Sequence, residues 1–97
     1  MKNKVVLITG SAKGIGKAIA KELAKSGYDI VINYLHSKQE ALSLQKELIA
    51  LYGVNVLAIQ ADVSSVEQVD AMVCEIEEKM GGVDVLVNNA AIDLSNL

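Results

Sequence analysis

The chain has 97 residues, 52% of them apolar, with nine Lys, no Arg, twelve Asp plus Glu and a net charge of −3. That is the length of one small domain with enough apolar content for a buried core, which argues against disorder. The lack of Arg, Trp and Phe argues against a nucleic-acid face, the single Cys74 excludes an internal disulfide or Cys-rich metal site, and no apolar run approaches the roughly 18 residues of a membrane span.

Charge is split along the chain. Residues 1–60 hold eight Lys against four acids, a net +4, and residues 61–97 hold one Lys against eight acids, a net −7. An anionic ligand is drawn to the first part. Val5-Val6-Leu7-Ile8 is a continuous apolar run, as in a strand buried on both faces. It is too short for a signal-peptide core of roughly 7–15 residues, and a cytoplasmic setting is expected. Ile15, Ile19 and Leu23, with Ala20 and Ala24 beside them, recur at helical spacing up to Gly27. Ile30-Val31-Ile32 predicts a second buried strand. Ser37-Lys38-Gln39-Glu40 has the form of a capping box, and Ala41, Leu44, Leu48 and Leu51 follow at helical spacing until Gly53. Val54 to Ala61 predicts a third strand. A second capping box over Ser64 to Glu67 opens a third helix through Val66, Val69, Val73, Ile76 and Met80, closed by Gly81-Gly82. Cys74 falls in that helix and reads as a small core or boundary residue. Val83 to Val87 predicts a fourth strand, and the tail from Ile92 to Leu97 has no decisive pattern.

The order β-α-β-α-β-α-β predicts an α/β fold with a parallel sheet and right-handed crossovers. Strand order 3-2-1-4 puts the first two helices on one face and the third on the other. Ligands of such sheets bind beyond the carboxyl ends of the strands, where the sheet reverses its growth between strands 1 and 4.

The first strand runs into Thr9-Gly10-Ser11-Ala12-Lys13-Gly14-Ile15-Gly16 and then a helix. Strand before and helix after lift the G-x-x-x-G-x-G spacing above chance as a pyrophosphate-binding turn, and a plain Gly-rich strand-to-helix turn is the alternative reading. Gly10 permits the tight turn, Gly14 lets a pyrophosphate approach the backbone, and Gly16 lets helix and strand pack closely. The helix N-terminus adds free N–H groups and partial positive charge. A P-loop fails on residue count, because Ser11 stands where its first Gly should be and Ala18 follows Gly16-Lys17.

With Thr9 to Gly16, Asp62-Val63 after the third strand and Asn88-Asn89-Ala90-Ala91 after the fourth, the sequence resembles the short-chain dehydrogenase/reductase family across nearly its whole length. Asn33-Tyr34, the stretch Gly81 to Val87 and Asp93 to Leu97 are similar to 3-oxoacyl-[acyl-carrier-protein] reductases within it. The resemblance implies an NADP(H)-dependent oxidoreductase of fatty acid biosynthesis, acting on a small-molecule or acyl-carrier-bound carbonyl and homo-oligomeric as a whole protein. It implies that Gly10, Ser11, Ala12, Lys13, Gly14, Ile15 and Gly16 hold the pyrophosphate and adenosine ribose. Asp62 would bond the adenine amino group with the Val63 backbone beside it, and Asn89, Ala90 and Ala91 would line the groove near the ribose. Asn88 would brace the sheet. Ala91 departs from the family, which usually has Gly there. Two plainer readings stand beside these: Asp62 with Ser64 as a cap of the third helix, and Asn88-Asn89 as an ordinary turn.

The cofactor choice rests on strand 2. NAD-preferring domains place an acid at its end for the ribose 2′-OH. Here Ile32-Asn33-Tyr34-Leu35-His36 holds no carboxylate, and Asp29 lies at the other end of the strand. The resemblance implies that Lys13 faces a 2′-phosphate instead, as its basic counterpart does in NADP-dependent relatives, with His36 and Ser37 as further donors, so NADP(H) is expected over NAD(H). Against this, Lys13, Lys17, Lys21 and Lys25 form a stripe of the kind usually solvated, Ser37 has a competing role as helix cap, and His36 could be a solvated loop residue.

Catalysis in the family needs a Ser, a Tyr and a Lys that lie beyond the fourth strand, so none is expected among these residues, nor any metal. Tyr34-Leu35-His36-Ser37-Lys38 matches Y-x-x-x-K literally. It ends a strand at the adenosine end of the groove and is rejected, because a general acid must reach its substrate. Residues 1–97 thus read as the amino-terminal dinucleotide-binding part of one Rossmann domain with an incomplete sheet. The alternative is a nucleotide-binding or interaction module that works without catalysis.

Overall fold

The computed structural model describes residues 2–90. In chain order the elements are β1 (Val5–Ile8), α1 (Gly14–Lys25), β2 (Asp29–Tyr34), α2 (Lys38–Tyr52), β3 (Val56–Gln60), α3 (Val66–Met80) and β4 (Val85–Val87). The sheet order is β3-β2-β1-β4 with every pair parallel, as the alternation of buried runs and amphipathic helices requires.

The two faces divide the apolar residues by the two-residue period of a strand. Val6, Ile8, Ile30 and Ile32 point to the face covered by α1 and α2, where they meet Ala20, Ala24, Leu44 and Leu48. Val5, Leu7 and Val31 point to the other face, against Met72, Ile76 and Met80 of α3. Each such side chain, once buried, contributes about 1.5–3 kcal/mol. Asp29 closes the amino end of the sheet, accepting from the Asn55 N–H at 2.9 Å and from Asn3 Nδ2 at 3.1 Å. The opposite end, where β1 and β2 finish, is left to the Gly-rich turn.

Several local expectations are corrected. Ile15, Leu51 and Val66 do not extend the apolar faces; they are 74%, 62% and 75% exposed. All three sit in terminal turns, where a helix runs past the strands it covers. Cys74 is exposed rather than packed. The N-cap of α3 is Ser65, whose Oγ accepts from the Gln68 N–H at 3.3 Å, and Ser64 bonds Asp62 instead. Ser37 does occupy the N-cap position of α2, but its hydroxyl makes no capping bond. β2 is longer than the Ile30–Ile32 run, while β3 and β4 begin two residues later than expected. At Asp84 the backbone N–H still donates to Val5 O at 2.9 Å, and the Val5 N–H donates to its carboxylate at 2.8 Å. Leu94, Leu97 and the rest of the tail lie outside the described residues.

Candidate functional site

The site grows from the turn after β1. Gly10 has φ +60°, a conformation that costs a residue with a Cβ on the order of 1–2 kcal/mol, and a Cβ there would also stand 3.1 Å from Ala90 Cβ. A Cβ on Gly16 would stand 2.5 Å from Gly10 O and 2.8 Å from Asn89 Nδ2, so only glycine lets α1 start this close to the turn. Gly14, at φ +61°, has nothing within 4 Å of where its Cβ would be, and its backbone faces open space. Lys17 is the first residue of α1 whose N–H finds an intrahelical acceptor, Lys13 O at 3.3 Å. By helix geometry the N–H groups of Lys13, Gly14, Ile15 and Gly16 have no partner within α1 and point out of its end.

Polar side chains hold the turn in place. Asn33, 2% exposed at the end of β2, accepts from the Gly10 N–H on Oδ1 at 3.1 Å and donates from Nδ2 to Ala61 O at 3.1 Å. Ser11, fully buried, donates its hydroxyl to Ile8 O at 2.7 Å and accepts from the Asn33 N–H at 3.2 Å. That hydroxyl is committed to the fold. From the β4 side, Asn89 Nδ2 donates to Gly10 O at 3.1 Å, and the Ala90 N–H donates to Thr9 Oγ1 at 2.9 Å. Thr9 Oγ1 donates to Asn88 Oδ1 at 3.3 Å, so Asn88 braces the sheet as expected.

Beyond the turn lies a cleft of about 310 Å³ lined by Gly10, Ala12, Lys13, Tyr34, Leu35, His36 and Ser37. The three donors singled out at this end of the sequence, Lys13, His36 and Ser37, are thus brought together. Lys13 is exposed at the N-cap of α1, whereas Lys21 of the same stripe pairs with Glu47 at 3.1 Å. No carboxylate stands on β2 or in the loop after it at this end. Asp62 follows β3. Both the Ser64 hydroxyl, at 2.6 Å, and the Ser64 N–H, at 2.9 Å, donate to its Oδ1 and hold the carboxyl below the ordinary carboxylate range; nearby His36 acts in the same direction, and partial burial opposes them. Oδ2 takes neither bond.

Not every expected residue joins this cleft. Val63 lines a separate groove of about 510 Å³ between α3 and β4, with Leu7, Met72 and Leu86. Ile15 stands exposed at the helix end, and Ala91 lies outside the described residues. Tyr34 is 8% exposed at the end of β2, and Lys38 is the first residue of α2, so the literal Y-x-x-x-K spans a strand end and a helix start. Asn33 and Thr9 brace the turn with their polar side chains, roles that the residue spacing alone does not indicate. The signal for Asn33 was available: a polar side chain ending a fully buried strand demands partners. Among the described residues no three His, Cys, Asp or Glu are grouped to hold a metal, and no helix is long and apolar enough to cross a membrane.

A doubly wound parallel sheet of order β3-β2-β1-β4 with a glycine turn at its switch point defines the Rossmann class of nucleotide-binding folds. Comparison with known proteins narrows this. The family model for short chain dehydrogenase matches residues 4–97, and the chain belongs to that family, whose members are oxidoreductases. It is 45% identical over 94 residues to the 3-oxoacyl-[acyl-carrier-protein] reductase FabG of Staphylococcus aureus, covering 97% of this chain and 38% of that protein. The short-chain dehydrogenase/reductase homolog YusS of Bacillus subtilis is 47% identical over 90 residues, which cover 93% of this chain and 82% of YusS. Among solved structures, L-sorbose reductase from Gluconobacter frateurii complexed with NADPH and L-sorbose matches with a TM-score of 0.84 and 41% identity, over 91% of this chain and 33% of that one. An alcohol dehydrogenase from Thermococcus sibiricus complexed with 5-hydroxy-NADP matches with a TM-score of 0.81 and 36% identity, over 88% of this chain and 36% of that one.

Proposed function

We propose that these residues are the NADP(H)-binding part of a short-chain reductase that transfers hydride from NADPH to a carbonyl, a 3-oxoacyl thioester in first place. One observation carries the cofactor choice: Lys13, His36 and Ser37 share one cleft at the end of β2, and neither that strand end nor the loop after it carries a carboxylate. The residues present fit a dinucleotide. Open backbone at Gly14 and the unpaired N–H groups at the start of α1 suit a pyrophosphate. The uncommitted Ser37 hydroxyl and the Lys13 ammonium suit a 2′-phosphate, and Asp62 Oδ2 suits an adenine amino group. Asn89 and Ala90 flank the same turn on its β4 side. When bound, NADPH supplies the hydride. This chain's own residues bind and orient it, while Asn33, Ser11 and Asn89 keep the cradle in shape.

The proton donor and carbonyl-polarising groups of the reaction belong, in this reading, to a catalytic half outside residues 1–97. The substrate class rests on the identity with the 3-oxoacyl-[acyl-carrier-protein] reductase FabG. A cytoplasmic homo-oligomer is part of the same proposal for the whole protein. A second reading, binding without catalysis, is favoured by YusS, of which this chain spans 82%. Fluorescence titration of the 97-residue protein with NADPH tests the common core, and saturable binding is expected. NADPH oxidation with a 3-oxoacyl thioester and with a ketose, measured on a protein carrying the downstream Ser, Tyr and Lys, then separates the readings. Turnover of the thioester alone supports the reductase assignment; binding with neither substrate turned over supports the module.

A further inference from the structure

We infer that Asn33 is the positioning residue that sets the glycine turn against the adenosine side of the site, through both ends of its amide. It joins three segments. Its Oδ1 takes the Gly10 N–H of the turn, its backbone bonds Ser11 in both directions, and its Nδ2 donates to Ala61 O immediately before Asp62, with Ile59 O at a longer 3.5 Å. Each segment carries groups of the proposed dinucleotide site: the turn with Lys13, the end of β2 with His36 and Ser37, the end of β3 with Asp62. Asn33 itself is 2% exposed and does not line the cleft.

The chemistry of an amide is needed here. One end must accept from Gly10 and the other must donate to Ala61 O, from a single planar fork. A carboxylate of the same shape accepts at both ends, so it would set one oxygen against the Ala61 carbonyl. A protonated carboxyl regains one donor and one acceptor. Burial and two facing carbonyl oxygens raise the pKa of a carboxyl placed there. Asn33→Asp is therefore a variant whose geometry is restored by acid. The ionisable groups on the joined segments, Lys13, Tyr34, His36 and Asp62, are common to wild type and variant, so the ratio of their affinities isolates position 33.

The inference rests on the dinucleotide reading, and the test separates the two. In the ligand-free protein, the Gly10 amide resonance of Asn33→Asp is followed by NMR between about pH 8 and pH 5, beside wild type. It is expected to titrate in the variant and end near its wild-type position in acid. NADPH affinity is then measured over the same range. Asn33→Asp is expected to bind at least tenfold more weakly than wild type near pH 8 and within about threefold near pH 5, while Asn33→Ala stays weak throughout. A variant that tracks wild type at every pH, or a Gly10 resonance indifferent to the titration, overturns the inference. A wild type that binds no dinucleotide while Gly10 titrates as expected contradicts the functional reading and leaves the amide's hold on the turn established. If Asn33→Asp unfolds near pH 8, Asn33→Ser decides: its hydroxyl keeps one donor and one acceptor, and it must bind at least threefold more tightly than Asn33→Ala.

Discussion

Gly16→Ala is the most informative single substitution in the turn. Helix propensity alone favours Ala by about 1 kcal/mol, because Gly16 lies inside α1. The surroundings oppose it. The new Cβ would meet Gly10 O at 2.5 Å and Ser11 Cα at 2.9 Å, both backbone atoms. Gly10 O must retreat by at least about half an ångström to reach even a tight contact, and that retreat strains the 3.1 Å bond from Asn89 Nδ2. Overpacking of this kind costs about 1–3 kcal/mol, and the loss of one partly buried hydrogen bond about 1 kcal/mol more. After the propensity gain, the net loss is about 1–3 kcal/mol, or roughly 5–20 °C in Tm for a domain of this size. Thermal and urea unfolding followed by circular dichroism measure it. In Asn89→Ala the strained bond is already absent, so Gly16→Ala is expected to cost less in that background. A Gly16→Ala protein as stable as wild type, or more stable, would refute the close-packing argument.

Two further outcomes follow from the same geometry. Asp62 has a lowered folded-state pKa, so its contribution to stability is complete above the ordinary carboxylate range and is lost as pH falls through the lowered value. Ser64→Ala removes the hydroxyl donor, and the Asp62 carboxyl resonance, followed by NMR, is expected to titrate at higher pH; an unchanged midpoint contradicts the assigned cause. Among the described residues β4 pairs with β1 alone, and Val83, Val85 and Leu86 are 36%, 41% and 59% exposed beside the α3 groove. Such an edge pairs readily. The 97-residue protein is expected to associate with rising concentration, less so in Leu86→Lys; a monomer by light scattering at high micromolar concentration contradicts this.

The fold was legible because its signals are long-range and redundant. Val5 to Ile8 and Ile30 to Ile32 could only be strands buried on both faces, and three amphipathic stretches between strands leave one economical parallel order. The ends of elements were less legible. Ser64-x-x-Glu67 and Ser65-x-x-Gln68 both have the form of a cap, and only the turn after β3, with the Ser65 N–H on Asp62 O, decides between them. Periodicity also does not say where the sheet stops, so it assigns Ile15, Leu51 and Val66 to faces they do not reach. At the candidate site, the residue types of Lys13, His36 and Ser37 match one chemistry, and the structure sets all three around one cleft. Asn33 was read only for the carboxylate it is not. Its hydrogen bonds reach two segments, each more than twenty residues away along the chain, a convergence that no local pattern reports.

The central claim is that Lys13 and its neighbours select the 2′-phosphate, and the ratio of NADH to NADPH dissociation constants tests it most directly. A charge-assisted contact to phosphate contributes about 1.5–3 kcal/mol, and the exposure of Lys13 places it at the low end, near a tenfold effect. Wild type is predicted to bind NADPH more tightly than NADH, and Lys13→Ala to lower that ratio about tenfold by weakening NADPH alone, with the gap between the two proteins narrowing in high salt. A wild type that prefers NADH, or a Lys13→Ala protein with the same ratio as wild type, would contradict the account.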